Sequence, residues 1–245
     1  AVAADGRVSP IREAAGIRSR GWSYAQSGIV CTVTHERPHR GIAHERFLPA
    51  GPFAILPLTG NRASLVWTES SNMADRLMAL EERAFCEEMR ERIGKFLGET
   101  VMTGPRWSYP LSLHNAESYT AEKLALIGDA AHGMHPIAGQ GLNLGFRDVA
   151  ALAEVIIDAA RMGQDIGSRE VLARYERWRR FDSLALLAVT DGLNRLFSND
   201  VGAVRVARDL GLAVVNRAPP LRRFLMRHAR GTVGKLPRML RGVEL

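Results

Sequence analysis

The chain has 245 residues, enough for one large domain or two small ones, and its 46% hydrophobic and 24% charged residues are typical of a folded globular protein. Its apolar runs, such as residues 184–189, are far shorter than the roughly 20 residues that a bilayer crossing needs, and it opens without a signal peptide, which predicts a cytoplasmic protein. The net charge of +7 favours an anionic partner without choosing among nucleic acid, phospholipid and a phosphate-bearing cofactor.

The first half of the sequence predicts mostly strands. Residues 1–4 are small and apolar and indicate a buried strand that runs directly into Asp5-Gly6. Since neither an initiating Met nor a turn precedes this strand, we expect a chain truncated at its amino end. Strand patterns continue over residues 21–68, where a turn containing Gly60 and Asn61 favours a hairpin.

The second half predicts one more buried strand and a largely helical remainder. Residues 124–127 are wholly apolar and end in Gly-Asp, as expected of a buried parallel strand. Apolar residues at helical spacing predict helices, which cover residues 73–93, 142–158, 175–196, 204–215 and 221–229.

The most informative segment is residues 126–145, which combines the end of that strand, an acidic turn, a Gly- and Pro-rich loop and the start of a helix. A carboxylate just past a buried strand can accept hydrogen bonds from ribose hydroxyls, and glycines let a flat ligand approach the backbone. The positive end of the helix can stabilise an anionic ring. Taken alone, Asp129 is equally explained as a helix cap or a turn former.

This segment resembles the second FAD-binding motif of the flavoprotein aromatic hydroxylases that share the para-hydroxybenzoate hydroxylase fold. In that family the aspartate holds the ribityl or ribose part of the flavin, and the loop lies against the isoalloxazine ring. The resemblance assigns cofactor contacts to Gly128, Asp129, Pro136, Gly139, Gln140, Gly141, Leu142 and Asn143.

A second resemblance lies at the start of the chain, where residues 4–12 are similar to the family's Asp-Gly motif, which bridges FAD and NAD(P)H binding. It adds Asp5 and Gly6 to the cofactor site, although an ordinary Asp-Gly turn would give the same dipeptide. Residues 47–58, 64–68 and 211–231 are similar to the ubiquinone-biosynthesis branch of the family. The family's opening Gly-x-Gly-x-x-Gly unit is missing.

The resemblance implies an α/β (α+β) fold with an incomplete, Rossmann-like FAD-binding domain, a mixed β-sheet substrate domain and C-terminal helices. We expect four segments: the end of the first part of the FAD-binding domain, the β-rich substrate domain, the second part of the FAD-binding domain and a C-terminal helical region. Their boundaries are residues 1–20, 21–115, 116–170 and 171–245.

The implied activity is the FAD-dependent hydroxylation of the aromatic ring of a polyprenyl-phenol intermediate in ubiquinone biosynthesis, with NAD(P)H and O2. The chemistry belongs to the cofactor, so no catalytic residue is assigned, and this chain on its own is expected to be inactive. The phenol's tail would need an apolar tunnel, for which the candidates are Phe53, Ile55, Leu56 and Trp67, together with Leu65. Packing in the core explains at least half of these residues equally well.

Other partners and functions follow less directly from the residues. The basic C-terminal helices favour peripheral contact with the inner membrane or with other ubiquinone-biosynthesis proteins. The alternatives are a soluble flavoprotein aromatic hydroxylase with another substrate and a noncatalytic scaffold or remnant of the family.

Nucleic acid, metal and disulfides are not predicted. The arginines of residues 177–180 have no accompanying nucleic-acid motif. His132 and His135 have no carboxylate or thiol that would complete a metal site. Cys31 and Cys86 are too few for a disulfide framework and predict reduced thiols.

Overall fold

The computed structural model describes residues 1–198 and 235–245, together with 202, 211, 215, 217–220 and 223. The helices predicted over residues 204–215 and 221–229 fall almost entirely outside the described residues. The chain divides into two compact units. The first contains Ala1–Trp22, Ser112–Leu193 and Asp209–Leu245, and the second contains Ser23–Leu111 and Asn194–Arg208.

The described elements include both strands and helices, with four consecutive strands before the second helix and the two longest helices near the end, in agreement with the α/β (α+β) fold that the resemblance implies. The strands are β1 (Val2–Ala3), β2 (Ser19–His35), β3 (His44–Leu48), β4 (Gly51–Leu58), β5 (Arg62–Ser70), β6 (Thr100–Met102), β7 (Trp107–Ala116), β8 (Thr120–Ala121), β9 (Leu124–Leu126) and β10 (His132–Gly133). The helices are α1 (Pro10–Ala14), α2 (Ser71–Ala79), α3 (Glu82–Ile93), α4 (Gly141–Arg161) and α5 (Arg169–Phe197). Short 3₁₀ turns lie at Gly128–Ala130, Pro136–Ala138 and Arg238–Arg241.

The core of the first unit forms around a small sheet with the strand order β1-β9-β8, in which β1 and β9 are parallel. The three residues of β9 are buried, which explains why this strand is a continuous apolar run. Helix α4 contributes Ala151, Leu152 and Val155 to this core, and α5 contributes Leu172 and Tyr175. The prediction of a buried parallel strand before the Gly-Asp turn is therefore confirmed.

The second unit is built on antiparallel pairs that place β5 between β2 and β4, with β3 beyond β4 and β6 paired to β2. The β4–β5 hairpin turns at Gly60, whose φ of 73° is a conformation that glycine adopts without strain. One face of the sheet packs against α2 and α3, and its core includes Ile29, Phe53, Trp67 and Phe85.

The helical region predicted over residues 73–93 consists of two helices. The chain is extended at Leu80 (ψ 147°) and Glu81 (ψ 150°), which ends α2 and starts α3. Arg106 donates hydrogen bonds to the carbonyl oxygens of Met78, at 3.1 Å, and Leu80. The apolar spacing continues through the break, so periodicity alone could not locate it.

Among the described residues, no helix has both the length and the apolar character needed to cross a bilayer.

Candidate functional site: two acidic turns at one sheet edge

Both motifs that resemble flavin-binding sequences lie at the same edge of the small sheet. Strands β1 and β9 run parallel, with Ala3 opposite Leu126, and the amide of Ile127 donates to the carbonyl of Ala3 at 3.0 Å. The turns that follow the two strands are Asp5-Gly6 and Gly128-Asp129. Because parallel strands end at a common edge, these turns lie side by side at the position where α/β sheets bind ligands.

The first turn is stabilised by the start of α1. Ser9 donates its hydroxyl to Oδ1 of Asp5 at 2.6 Å, and the amide of Ile11 donates to Oδ2 at 3.1 Å. Ser9 also caps α1 by accepting from the amide of Arg12 at 3.0 Å. The hydrogen bond from Ser9 is the main cause of a lowered pKa of the Asp5 carboxyl. Asp5 is therefore a charged, oriented carboxylate beside Gly6.

The backbone of the second turn is held by side chains from distant parts of the chain. The amide of Gly128 donates to Oδ2 of Asp148 at 3.0 Å, and Arg12 donates to the carbonyl of Ala130 at 2.9 Å. Gly128 has a φ of 57°, which other residues rarely adopt. These contacts fix a turn that glycine alone would leave flexible.

Asp129 is held through its backbone, while its side chain is half-exposed. Nε2 of His114 lies 2.9 Å from the Asp129 carbonyl, so that nitrogen carries the proton and donates it. Nη2 of Arg7 is 3.7 Å from the Asp129 carboxylate, and its Nη1 donates to the hydroxyl of Ser112 at 2.7 Å. Burial is the main cause of a lowered pKa of His114, so its ring is neutral. The free side of the Asp129 carboxylate remains available to a ligand.

The loop between the acidic turn and α4 has an open outer surface. Nδ1 of His135 accepts from the amide of Ile137 at 3.1 Å, and Gly139 ends the 3₁₀ turn with a φ of 59°. Pro136 and Gly139 are exposed, and Gln140 is half-buried and accepts a 3.3 Å hydrogen bond from Asn143.

Three glycines of the two motifs have open space beside their backbone, where a ligand could approach. A Cβ atom added at Gly6, Gly139 or Gly141 would meet no heavy atom within 4 Å. At the first turn of α4, Leu142 is 70% exposed and Asn143 is also exposed. Open space beside backbone amides and a helix amino end suits a flat, anionic cofactor, so the residues present fit FAD.

The acidic turn also lies against the first turns of α4. A Cβ atom added at Gly145 would stand 3.5 Å from the Cα of Gly128. At this distance an alanine side chain would make an ordinary van der Waals contact with the turn, so the contact places the turn against α4 but does not require glycine at position 145. The structure thus places the turn that carries the predicted cofactor residues Gly128 and Asp129 against α4, whose first turn carries Gly141, Leu142 and Asn143.

A buried charged network behind the turn was not predicted. Asp148 is fully buried and bonds Nε2 of His132 at 2.7 Å and Nε of Arg179 at 2.8 Å, in addition to Gly128. The sequence suggested only a metal-binding role for His132. The network could have been suspected from Asp148, because an aspartate four residues after Leu144 falls on the apolar face of the predicted helix, where a charged residue needs a partner.

The four predicted substrate residues belong to the second unit and lie on two faces of its sheet. Phe53, Ile55 and Trp67 are at most 1% exposed and pack in the core. The rings of Phe53 and Trp67 meet edge to face with centroids 5.9 Å apart, and Trp67 also contacts Phe85. Leu56 points to the opposite face and is 39% exposed. Of the four, Leu56 has the most surface available to a ligand.

The fold and the paired turns define a flavin-binding protein of the aromatic hydroxylase class. The chain belongs to the FAD binding domain family, which matches residues 1–188. The resemblance inferred from the motifs is thereby confirmed, and so is FAD as the cofactor of the family.

Named relatives narrow the class further. Over its full length the chain is 56% identical to "Ubiquinone hydroxylase UbiL" of Rhodospirillum rubrum, and over 94% of its length it is 37% identical to "3-demethoxyubiquinol 3-hydroxylase" of Escherichia coli. It spans 58% and 59% of the lengths of these two relatives. The solved structure of OxyS anhydrotetracycline hydroxylase from Streptomyces rimosus superimposes with a TM-score of 0.70 at 25% identity, covering 96% of this chain and 46% of that one.

Proposed function

We propose that this chain is part of an FAD-dependent monooxygenase that hydroxylates the aromatic ring of a polyprenyl-phenol intermediate of ubiquinone biosynthesis. The observation that carries the proposal is the pair of acidic turns, Asp5-Gly6 and Gly128-Asp129, at the ends of two parallel strands. The Rhodospirillum rubrum relative, named a ubiquinone hydroxylase, supports the substrate class.

We assign cofactor binding to the ten residues that carry the motifs. When bound, FAD supplies the oxygen-transfer chemistry, with O2 as oxidant and NAD(P)H as reductant. Asp129 and Asp5 would accept hydrogen bonds from the hydroxyl-bearing part of the cofactor. The amino end of α4 stabilises negative charge by about 0.3–1 kcal/mol. These residues are Asp5, Gly6, Gly128, Asp129, Pro136, Gly139, Gln140, Gly141, Leu142 and Asn143.

For the substrate, we propose contact with the sheet face that carries Leu56. In the register of the sheet, Ala54 stands opposite Val66, which stands opposite Val30, and all three are half-buried. Small apolar side chains that are not packed in a core form a surface suited to an aromatic ring or an isoprenoid chain. Phe53, Ile55 and Trp67 would support this surface from behind.

The proposal is tested by flavin binding and turnover. FAD fluorescence quenching is measured on this chain and on a chimera completed with the unmatched part of the Rhodospirillum rubrum relative. We expect the chimera to bind FAD, consume O2 with NAD(P)H and add one oxygen atom to a prenylated phenol. Failure of the chimera to bind FAD would refute the flavoprotein assignment, and hydroxylation of non-prenylated phenols only would favour a soluble aromatic hydroxylase.

We also propose that the protein contacts an anionic membrane surface. The net charge is +7, and Arg169, Arg174 and Arg177 line a shallow groove on α5. Arginines near a membrane surface contribute about 1 kcal/mol each to binding anionic lipid. Flotation with phosphatidylglycerol vesicles should carry the protein upward, and flotation with phosphatidylcholine vesicles should not. Equal behaviour with both vesicles would contradict this contact.

A further inference from the structure

The Asp148 carboxylate receives three donors at the back of the acidic turn. Oδ2 accepts from the Gly128 amide at 3.0 Å and from Nε2 of His132 at 2.7 Å, and Oδ1 accepts from Nε of Arg179 at 2.8 Å. Asp148 is 0% exposed, His132 2% and Arg179 1%. Three elements therefore converge on one carboxylate: the turn, helix α5 and strand β10.

Packing alone does not explain an aspartate at this position. Its neighbours on the buried face of α4 are Leu144, Ala151 and Leu152, and an apolar residue would continue that face. A buried ion pair contributes little net stability compared with an apolar pair of similar volume, because both charges must be desolvated. The aspartate is better explained by the groups that it binds. A carboxylate with three fixed donors has one orientation and can therefore fix the position of each donor.

The group that Asp148 holds is the backbone of the turn. Gly128 directly precedes Asp129 and has a φ of 57°, and its amide donates the hydrogen bond to Asp148. Nη1 of Arg179 donates to Asp182 at 2.7 Å, which ties the same guanidinium to the next turn of α5. A shift of the carboxylate would release the amide and change the direction in which Asp129 points.

We propose that Asp148 is a positioning residue for FAD binding, which acts by fixing the Gly128 amide and depends on Arg179 and His132 for its own orientation. The inference rests on the proposed function, because the turn is the element to which we assign flavin contact. Asp148 is fully buried and touches the turn, so its effect on the cofactor is transmitted through Gly128.

The test compares three variants in the completed chimera. Asp148→Asn keeps the shape of the side chain but removes its charge and one acceptor, which leaves the buried Arg179 cation with Asp182 as its remaining carboxylate partner. In the double variant Asp148→Asn, Arg179→Met, that cation is absent. Glu176→Gln is the control, because Glu176 bonds Ser118 and Thr120 elsewhere in the same unit.

We measure thermal stability, the FAD dissociation constant by fluorescence quenching, and hydrogen exchange of the peptide that covers residues 126–133. Asp148→Asn should lower stability, weaken FAD binding about tenfold or more and speed exchange of the turn. The double variant should recover stability but neither affinity nor protection. Glu176→Gln should lower stability and leave affinity and protection unchanged.

Two results would overturn the positioning role. One is an affinity that follows stability through all variants, so that the double variant recovers both. The other is unchanged exchange of the turn in Asp148→Asn. If the parent chimera binds no FAD, the proposed function fails, while the exchange measurement still decides whether Asp148 fixes the turn.

Discussion

Replacing Gly133 with alanine tests how tightly the residues around Asp129 are packed. The added Cβ would stand 2.6 Å from both Cε1 and Nδ1 of His114 and 2.8 Å from Nη2 of Arg7. The backbone of Gly133 is paired with His114 in the β10–β7 ladder, so it cannot move away freely. The imidazole must shift, and its hydrogen bond to the Asp129 carbonyl is then weakened.

The expected magnitude follows from two opposing effects. Overpacking of this kind costs about 1–3 kcal/mol. Alanine also lowers the conformational entropy of the unfolded chain relative to glycine, which stabilises the folded state by about 0.4–1 kcal/mol. The middle of each range, about 2 and about 0.7 kcal/mol, gives a net loss of about 1.3 kcal/mol in the free energy of unfolding, measured by urea denaturation with circular dichroism.

The matched control is Gly192→Ala in α5. A Cβ atom at Gly192 would meet nothing within 4 Å, so this change should raise stability by about 0.5–1 kcal/mol through helix propensity. The two glycine substitutions are thus predicted to have opposite signs. A Gly133→Ala variant as stable as the parent would refute the close contacts with His114 and Arg7.

Three further predictions concern buried groups. Trp67→Ala should lower the free energy of unfolding by about 3–5 kcal/mol and Leu56→Ala by less than about 1 kcal/mol, as urea denaturation would show, because only Trp67 is fully buried. Burial raises the pKa of Cys31 to about 12, so iodoacetamide at pH 8 should label it slowly when folded and quickly in urea, as followed by mass spectrometry. Burial lowers the pKa of His135 from 6.5 to about 4, so the unfolded chain binds the proton first and stability should fall as the pH drops from about 6.5 to about 4. His135→Asn, which keeps a capping acceptor, should flatten that part of the stability profile; an unchanged slope would contradict the assignment.

Much of the fold could be predicted from the sequence because its signals are local. The apolar run of residues 124–127 and the Gly-Asp dipeptide after it predict a buried strand and a turn without knowledge of distant contacts. The hairpin around Gly60 is equally local, since the turn needs a positive φ. The break at Leu80 was not predictable in this way, because Arg106, which donates hydrogen bonds to the freed carbonyl oxygens, lies 26 residues further along the chain.

The site was predictable only where its residues are contiguous. Residues 128–143 carry a recognisable pattern, but the side chains that fix the turn belong to Arg12 and Asp148. Asp148 is in turn held by Arg179 of α5. No spacing rule links these positions. Similarly, strand alternation predicts that Ile55 and Leu56 face opposite ways but does not predict which face α2 and α3 cover.

The buried arginine and aspartate side chains of the first unit all support the Gly128–Ala130 turn. Among the described residues, its buried arginine and aspartate side chains are Arg12, Asp148 and Arg179. Arg12 bonds the last carbonyl of the Gly128–Ala130 turn, Asp148 bonds its first amide, and Arg179 bonds Asp148. Burying a charge is expensive unless it is paired and hydrogen-bonded, so three such groups around one turn indicate that its geometry matters more than local packing. Gly128 has no side chain that could hold this turn, so Arg12, Asp148 and Arg179 supply that support, and under the proposed function they thereby orient Asp129 toward the flavin.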